Sequence, residues 1–117
     1  MTSINKIFSI YVIELNPKVL SIKKFRDKNP DYLEGKPCVY VGFTSKTPKE
    51  RFAEHKIGLR SGPIKLHNTY AYKFGIRLKP RLYQHQNNQS MTEPEARAME
   101  IEKARRLRKR GYAVWQN

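Results

Sequence analysis

The chain has 117 residues and carries 24 lysines and arginines against 10 acidic residues, which gives a formal net charge of +14. This length predicts one domain with a modest core, and no apolar run is long enough to predict a membrane-spanning segment. The single cysteine, Cys38, cannot form an internal disulfide, which fits a reducing, cytoplasmic location.

The positive charge is concentrated in the middle of the chain. Residues 38–90 hold 10 basic and 2 acidic residues. Such an excess favours a polyanionic partner, most directly nucleic acid, through phosphate contacts and counterion release. The alternative explanation is a basic surface that is merely solvated.

The first part of the chain predicts two strands with an excursion between them. Residues 7–15 are rich in β-branched and aromatic types, which indicates a strand with Tyr11 on one face. Residues 18–28 carry spaced apolar residues among lysines and predict a short amphipathic helix. Residues 38–43 predict a second strand with Tyr40 on one face, and we expect it to pair with the first in antiparallel fashion.

A capped helix is predicted directly after the second strand. Thr47 is a suitable N-cap residue, and Glu50, three residues later, completes a capping box. We expect this helix to run from residue 48 to about residue 60. Arg51 and His55 are four residues apart, so they share one face of the helix, one turn apart.

The second half of the chain is less regular until its last long helix. Residues 64–77 fit either a helix or a broken strand, and residues 78–84 suggest an edge strand or extended segment interrupted by a proline. A second capping box opens a helix predicted over 92–110, with Gly111 as its C-cap. Residues 112–115 then predict a short strand or a packing tail.

Glu100 lies in the middle of the apolar stripe of this last helix. A carboxylate among apolar neighbours needs a cation or metal, or else has a perturbed pKa. If the role of Glu100 is only structural, its partner would be Lys103 or an arginine from another element. The stripe itself is predicted to consist of four apolar residues: Ala96, Met99, Ala104 and Leu107.

Five features occur in an order that resembles the GIY-YIG nuclease superfamily. Ser9-Ile10-Tyr11 resembles the first signature triplet, with serine where glycine is usual, and Tyr40-Val41-Gly42 resembles the second. Arg51 and His55 follow on the first long helix, and Glu100 lies on the later one. The sequence departs from the family in a longer spacing between the triplets and in lacking a clear match to a late asparagine.

The resemblance implies an α+β fold, with a small central antiparallel β-sheet flanked by helices. The whole chain, residues 1–117, would form this one domain, with an insertion at about residues 16–37 between the two signature strands. The implied activity is that of a metal-dependent endonuclease that hydrolyses DNA phosphodiester bonds with one Mg²⁺ (or Mn²⁺). Intrinsic sequence specificity is expected to be low, or supplied by a protein partner, and DNA is favoured over RNA by the resemblance alone.

The resemblance also implies catalytic roles for Tyr11, Tyr40, Arg51, His55 and Glu100. Glu100 would hold the metal, Arg51 would contact the scissile phosphate, and one of the two tyrosines would take a proton from water, with His55 as a relay. A tyrosine base requires a pKa below its usual value of ~10. Contacts with nucleic acid are expected from residues of the turn and the first helix: Thr44, Lys46, Lys49, Lys56 and Arg60.

Other interpretations of the same residues stay open at this point. Tyr11 and Tyr40 are also typical strand aromatics, and Arg51 and Glu100 could form a structural ion pair. The charge alone requires only a non-catalytic basic nucleic-acid-binding module on a degenerate nuclease fold. A basic structural component of a ribonucleoprotein is a third possibility.

Overall fold

The computed structural model describes residues 7–57, 60–61, 64–65, 70–88 and 90–116. The helices are α1 (Lys23–Asp27), α2 (Pro48–Ile57), α3 (Tyr70–Phe74) and α4 (Glu93–Lys109). Two of the described helices, α2 and α4, span ten residues or more, and short 3₁₀ turns join several elements. The strands are β1 (Ser9–Leu15), β2 (Cys38–Thr44), β3 (Arg60–Ser61), β4 (Ile64–Lys65), β5 (Gly75–Leu78) and β6 (Ala113–Gln116).

The main sheet has the strand order β5-β1-β2-β6 within the described residues. β1 pairs with β2 and with β5 in antiparallel fashion, whereas β6 runs parallel to β2. The α+β class and the pairing of the two signature strands are therefore confirmed, but the sheet is mixed rather than wholly antiparallel. The chain reaches β6 through α4, and a parallel pair needs a crossover connection of this kind.

The excursion between β1 and β2 covers one edge of the sheet. The single helix predicted over 18–28 is instead a 3₁₀ turn, Pro17–Ser21, followed by α1, because Ile22 between them is extended. Just beyond α1, the buried Asn29 side chain accepts a hydrogen bond from the Val114 N–H at 2.7 Å and donates one to its carbonyl at 3.1 Å. This amide satisfies the outer backbone groups of β6, which protects an exposed strand edge from pairing with another chain.

The segment from residue 78 to residue 84 differs from the prediction. The extended conformation ends at Leu78, and a 3₁₀ turn over Pro80–Leu82 follows, so an edge strand over 78–84 was wrong. Pro80 lacks an N–H and fixes its φ angle, which suits the start of a turn better than a continued strand. In the ambiguous region 64–77, both alternatives are partly present, since α3 is directly followed by β5.

Both long helices begin as their capping boxes predicted. Thr47 Oγ1 accepts a hydrogen bond from Glu50 N at 3.1 Å, and Thr92 Oγ1 accepts one from Glu95 N at 3.3 Å. α4 is followed by Gly111, which has a φ of 90°. This left-handed conformation favours glycine, and a side chain here would also collide with Leu33.

The core fills both sides of the main sheet. Ile10 and Val12 on one face of β1 and Tyr11 and Ile13 on the other have no exposed surface. Two buried faces explain why β1 and β2 are almost continuously apolar in sequence. Across the described ranges, α4 is the longest helix, and none has the length and apolar character needed to cross a bilayer.

Candidate active site

The two tyrosines of the signature triplets lie side by side on one face of the sheet. The register places Tyr11 opposite Gly42 and Tyr40 opposite Ile13. The centroids of the two phenol rings are 6.4 Å apart, with an angle of 27° between the ring planes. A Cβ atom on Gly42 would lie only 2.5 Å from the Tyr11 hydroxyl oxygen. The glycine of the second triplet therefore makes room for the phenol of the first.

His55 of α2 completes a compact group with these rings. The Tyr11 hydroxyl lies 3.0 Å from His55 Nε2, and the His55 ring meets Tyr40 nearly edge-on at 5.4 Å. His55 is fully buried rather than a surface residue. Burial, reinforced by the positive charge of Arg51, lowers the pKa of His55 to about 4, so the imidazole is neutral at pH 7.

Both phenols have pKa values above the normal tyrosine value, whereas a tyrosine that acts as a base needs a pKa below it. Burial raises the pKa of Tyr11 to about 12, although the neighbouring Arg51 guanidinium partly offsets this effect. Burial and the proximity of Tyr11 also raise the pKa of Tyr40. The lowered phenol pKa that a tyrosine base requires is therefore absent from the free protein, and both hydroxyls carry their protons at neutral pH.

Arg51 lies next to this group but is held by a residue that sequence reasoning missed. Its Nη1 donates to Glu54 Oε1 at 2.9 Å, and the same carboxylate also accepts a hydrogen bond from Lys46 Nζ. The structural ion pair between Arg51 and Glu100, which was the alternative to catalytic roles for them, does not form within the described part of the chain. Burial favours protonation of Glu54, but its hydrogen bonds from the two cations lower its pKa overall. The three-residue spacing on a helix was the signal for this pair.

Glu100 is a buried carboxylate on α4. Only 2% of its surface is exposed, and its Oε2 has no hydrogen-bond partner among the described residues. Burial raises the pKa of Glu100 to about 7, and the charge of Arg97 opposes this shift only in part. The charge of Glu100 in turn raises the pKa of Tyr11 and of Tyr40, which places it within electrostatic reach of both phenols.

The surroundings of Glu100 agree in part with the predicted stripe of α4. Ala96, Ala104 and Leu107 are buried as expected, whereas Met99 is half-buried. Lys103 is also buried, but it forms no ion pair with Glu100 in the ranges that are described. Among the described residues, therefore, Glu100 has no cation in the role of a structural partner.

An oxygen that is buried and without a partner fits the requirements of a hard cation such as Mg²⁺ or Mn²⁺. The described residues contain no cluster of three or more histidine, cysteine, aspartate or glutamate side chains that could enclose a metal ion. A cation at Glu100 would therefore complete its coordination with water and substrate oxygens. Such a site would bind its metal weakly in the absence of substrate.

The residues predicted to contact nucleic acid fall into different environments at the start of α2. The Thr44 side chain is buried, and its Oγ1 accepts a hydrogen bond from the Lys46 N–H at 3.0 Å. Lys46 is exposed over about half of its side chain, 52%, but bonds to Glu54. Thr44 therefore shapes the turn, while Lys46 lies at the surface beside the Arg51–Glu54 pair.

The remaining residues of this predicted set also differ from one another. Lys49 is exposed on the first turn of α2. Lys56 Nζ donates to the Gly75 carbonyl at 2.7 Å, which ties the end of α2 to β5. The side chain of Arg60 lies outside the described residues. Among the described residues, Lys56 is therefore held by a backbone carbonyl, whereas Lys49 makes no such bond.

Asn87 is a second residue that sequence reasoning missed. Its side-chain Oδ1 accepts a hydrogen bond from the Ile10 N–H at 3.0 Å, and its Nδ2 donates to the Ile10 carbonyl at 2.9 Å. The amide thereby pairs with the backbone of β1 directly beside Tyr11. In sequence, Asn87 lies in a uniformly polar stretch, which gave no signal of this role.

No protein-family model matches the chain, and neither curated proteins nor solved structures show significant similarity to it.

Proposed function

We propose that this protein is a divalent-metal-dependent endonuclease that hydrolyses DNA phosphodiester bonds with low intrinsic sequence specificity. One observation carries the proposal: Tyr11, Tyr40 and His55 are in mutual contact, with Arg51 beside them, although Tyr11 and His55 are 44 residues apart in sequence. Ordinary strand aromatics do not require a buried histidine and an adjacent guanidinium. The order of these residues along the chain resembles that of the GIY-YIG superfamily.

Arg51 is suited to stabilise the negative charge that develops on the phosphate during hydrolysis. Its guanidinium has five donors, and its Nη1 donates to Glu54 in the free protein. Because 16% of the side chain is exposed, a phosphate can approach it from solvent. Bidentate donation to phosphate oxygens is the arrangement that arginine favours, and such contacts are strongest in the transition state.

The Tyr11–His55 pair provides a route for the proton of the attacking water. Neutral His55 can accept the Tyr11 hydroxyl proton on Nε2 while the Tyr11 oxygen takes a proton from water. This relay does not require free phenolate, so it is compatible with the raised pKa of Tyr11. It requires His55 to carry its own proton on Nδ1. The negative charge of bound substrate favours the imidazolium that results.

Glu100 is the residue that would hold the metal. When bound, Mg²⁺ or Mn²⁺ supplies Lewis-acid stabilisation to phosphate oxygens and the leaving oxygen. The carboxylate is charged at pH 8 because this is above its pKa of about 7, and it loses charge as the pH falls below that value. Cleavage is therefore expected to weaken in mildly acidic buffer.

Burial of the group supports a second candidate function. Tyr11 and His55 have no exposed surface, and Tyr40 and Glu100 are exposed by only 3% and 2%. Substrate therefore has to enter from the side of Arg51. A non-catalytic basic nucleic-acid-binding module on the same fold would need only the surface charge, not access to the tyrosines.

Cleavage of supercoiled plasmid in Mg²⁺ or Mn²⁺ distinguishes the two candidates. We expect Arg51→Lys and Glu100→Gln each to reduce cleavage by roughly 10²-fold or more. Arg51→Lys loses the bidentate contact with the phosphate, and Glu100→Gln loses the charge that would hold the metal. The matched controls are Arg77→Lys and Glu93→Gln, which make the same chemical changes at exposed positions. We expect both controls to cleave as the wild type does.

Two outcomes would contradict the nuclease. Plasmid that stays intact with wild-type protein in both metals, while DNA is bound in a mobility-shift assay, would favour the binding module. Cleavage that persists undiminished in both Arg51→Lys and Glu100→Gln would place the activity elsewhere.

A further inference from the structure

Two adjoining cavities form a groove along the outer side of β6 and the C-terminal half of α4. Their volumes are about 610 Å³ and 320 Å³, and they share Arg108 and Gln116 as lining residues. Lys109 and Asp31 line the larger cavity, and Lys28 lines the smaller one. We call this surface the β6 groove.

Four of the eight residues that line the β6 groove are cations. Lys28 and Lys109 are exposed. The half-buried Arg108 lies between the two cavities and donates hydrogen bonds to the Asn29 side chain and the Val114 carbonyl. Arg105 also contributes, but it is paired with Glu102 at 2.6 Å. Asp31 is the opposing acidic residue in the lining. Gathering like charges at one surface costs self-repulsion, which a bound polyanion removes.

An indole lies at the same place. Trp115 lines the smaller cavity and is half-buried. Phe25 stacks on it at 6.3 Å, Tyr70 meets it edge-on at 4.7 Å, and Lys24 Nζ lies 5.7 Å from the ring centroid. These contacts hold the ring beside the exposed Lys28 and leave only its cavity-lining part to contact a base. Cations that follow a phosphate backbone, combined with aromatic surface for bases, are the elements of single-strand recognition.

The β6 groove lies one strand away from the tyrosine group. Trp115 is the register partner of Tyr40 in the β2–β6 pair, and neighbouring strands lie about 4.8 Å apart. We propose that the β6 groove binds a single-stranded segment of nucleic acid next to the phosphate that is cleaved, an inference that rests on the proposed function for the position of that phosphate. The cavities have the size of individual nucleotides rather than of a double helix, which favours a single strand.

Binding can be measured without any cleavage. Trp115 is the only tryptophan in the chain, so its fluorescence reports on the β6 groove directly. With wild-type protein in EDTA, we expect a short single-stranded oligodeoxynucleotide of mixed sequence to quench this fluorescence. A duplex of the same length should bind less tightly and quench less.

Charge substitutions test the lining of the β6 groove. We expect the double variant Lys28→Ala/Lys109→Ala to bind the single strand about tenfold more weakly. In a plot of the logarithm of the binding constant against the logarithm of the salt concentration, its slope should be smaller in magnitude by about 1.4. The matched control Lys18→Ala/Lys73→Ala removes two exposed lysines outside the groove and should keep the wild-type slope. Asp31→Asn should bind more tightly, because it removes the opposing charge.

Three results would overturn the inference. They are unchanged Trp115 fluorescence at saturating oligonucleotide, equal losses in the groove variant and its control, and tighter binding of duplex than of single strand. Because all readouts are taken in EDTA, they are independent of plasmid cleavage. If the protein fails to cleave plasmid but passes this test, single-strand binding in the β6 groove is supported and the proposed nuclease function is rejected.

Discussion

The two long helices each contribute one carboxylate to the neighbourhood of the tyrosines, and the two carboxylates are in opposite electrostatic situations. Glu54 of α2 bonds to both Lys46 and Arg51, and these cations lower its pKa. Glu100 of α4 has a buried oxygen without a partner among the described residues, and burial raises its pKa to about 7. The protein neutralises the first charge with its own side chains, whereas under the proposed function the second is left for a metal ion.

The largest expected effect is on the pH dependence of stability, in which the buried Glu100 and the buried His55 act in opposite directions. The pKa of Glu100 is raised from 4.5 to about 7 by folding, so this residue removes stability as the pH rises through that range. The pKa of His55 is lowered from 6.5 to about 4, so His55 removes stability as the pH falls through its range. Each contribution amounts to about 3 kcal/mol. Between pH 4.5 and 6.5 the two slopes oppose and nearly cancel.

Urea unfolding at several pH values separates the two contributions. Between pH 4.5 and 6.5, we expect Glu100→Gln to become more stable as the pH rises, because His55 then acts alone. We expect His55→Gln to become less stable over the same range, because Glu100 then acts alone. Glu93→Gln, an exposed change on the same helix, should keep the shallow wild-type profile. If Glu100→Gln and His55→Gln have the same slope, the contrast between a buried acid and a buried base is wrong.

A smaller effect is expected from metal binding to the free protein. At a Mg²⁺ concentration tenfold above its dissociation constant, a site present only in the folded state raises the free energy of unfolding by about 1.4 kcal/mol. Thermal unfolding at pH 8, with NaCl of matched ionic strength as control, should show this gain in wild type and not in Glu100→Gln. The gain should fall at pH 5, where protons compete for the carboxylate. A gain that persists in Glu100→Gln would place the cation at another residue.

Local signals predicted much of the fold. The capping residues Thr47 and Thr92 fixed the starts of α2 and α4, because a cap depends on residues close in sequence. Alternation along the strands placed Tyr11 and Tyr40 on defined faces, and the antiparallel pairing of the two strands followed the prediction. The parallel direction of β6 was not predictable in this way, since it depends on how α4 crosses the sheet.

The candidate site was less predictable for the same reason. The position of Glu100 in an apolar stripe correctly indicated an unusual carboxylate. Arg51 could pair with either Glu54 or Glu100, however. It pairs with Glu54, three residues away on the same helix, and not with Glu100 on α4. The burial of His55 also depends on tertiary packing of α2 against β1 and β2, which no short-range pattern encodes.

The smallest effect concerns Glu54. Its carboxylate holds the Arg51 guanidinium, which under the proposed function contacts the substrate phosphate, so Glu54→Gln should release Arg51 and Lys46 and tighten binding of DNA several-fold. Because these pairs are partly exposed, we expect a loss of only about 1 kcal/mol in stability. DNA affinity in EDTA, measured by fluorescence anisotropy, checks this expectation without cleavage.

The control for Glu54→Gln is Glu14→Gln, which adds the same unit of positive charge but releases the exposed Arg77 on β5. If Glu54 shields the phosphate-binding arginine, Glu54→Gln should bind DNA more tightly than Glu14→Gln. Equal affinities would mean that net charge alone governs binding and that Glu54 is an ordinary structural partner. In the first case the two carboxylates have separate roles, since Glu54 limits phosphate binding while Glu100 determines the response to metal.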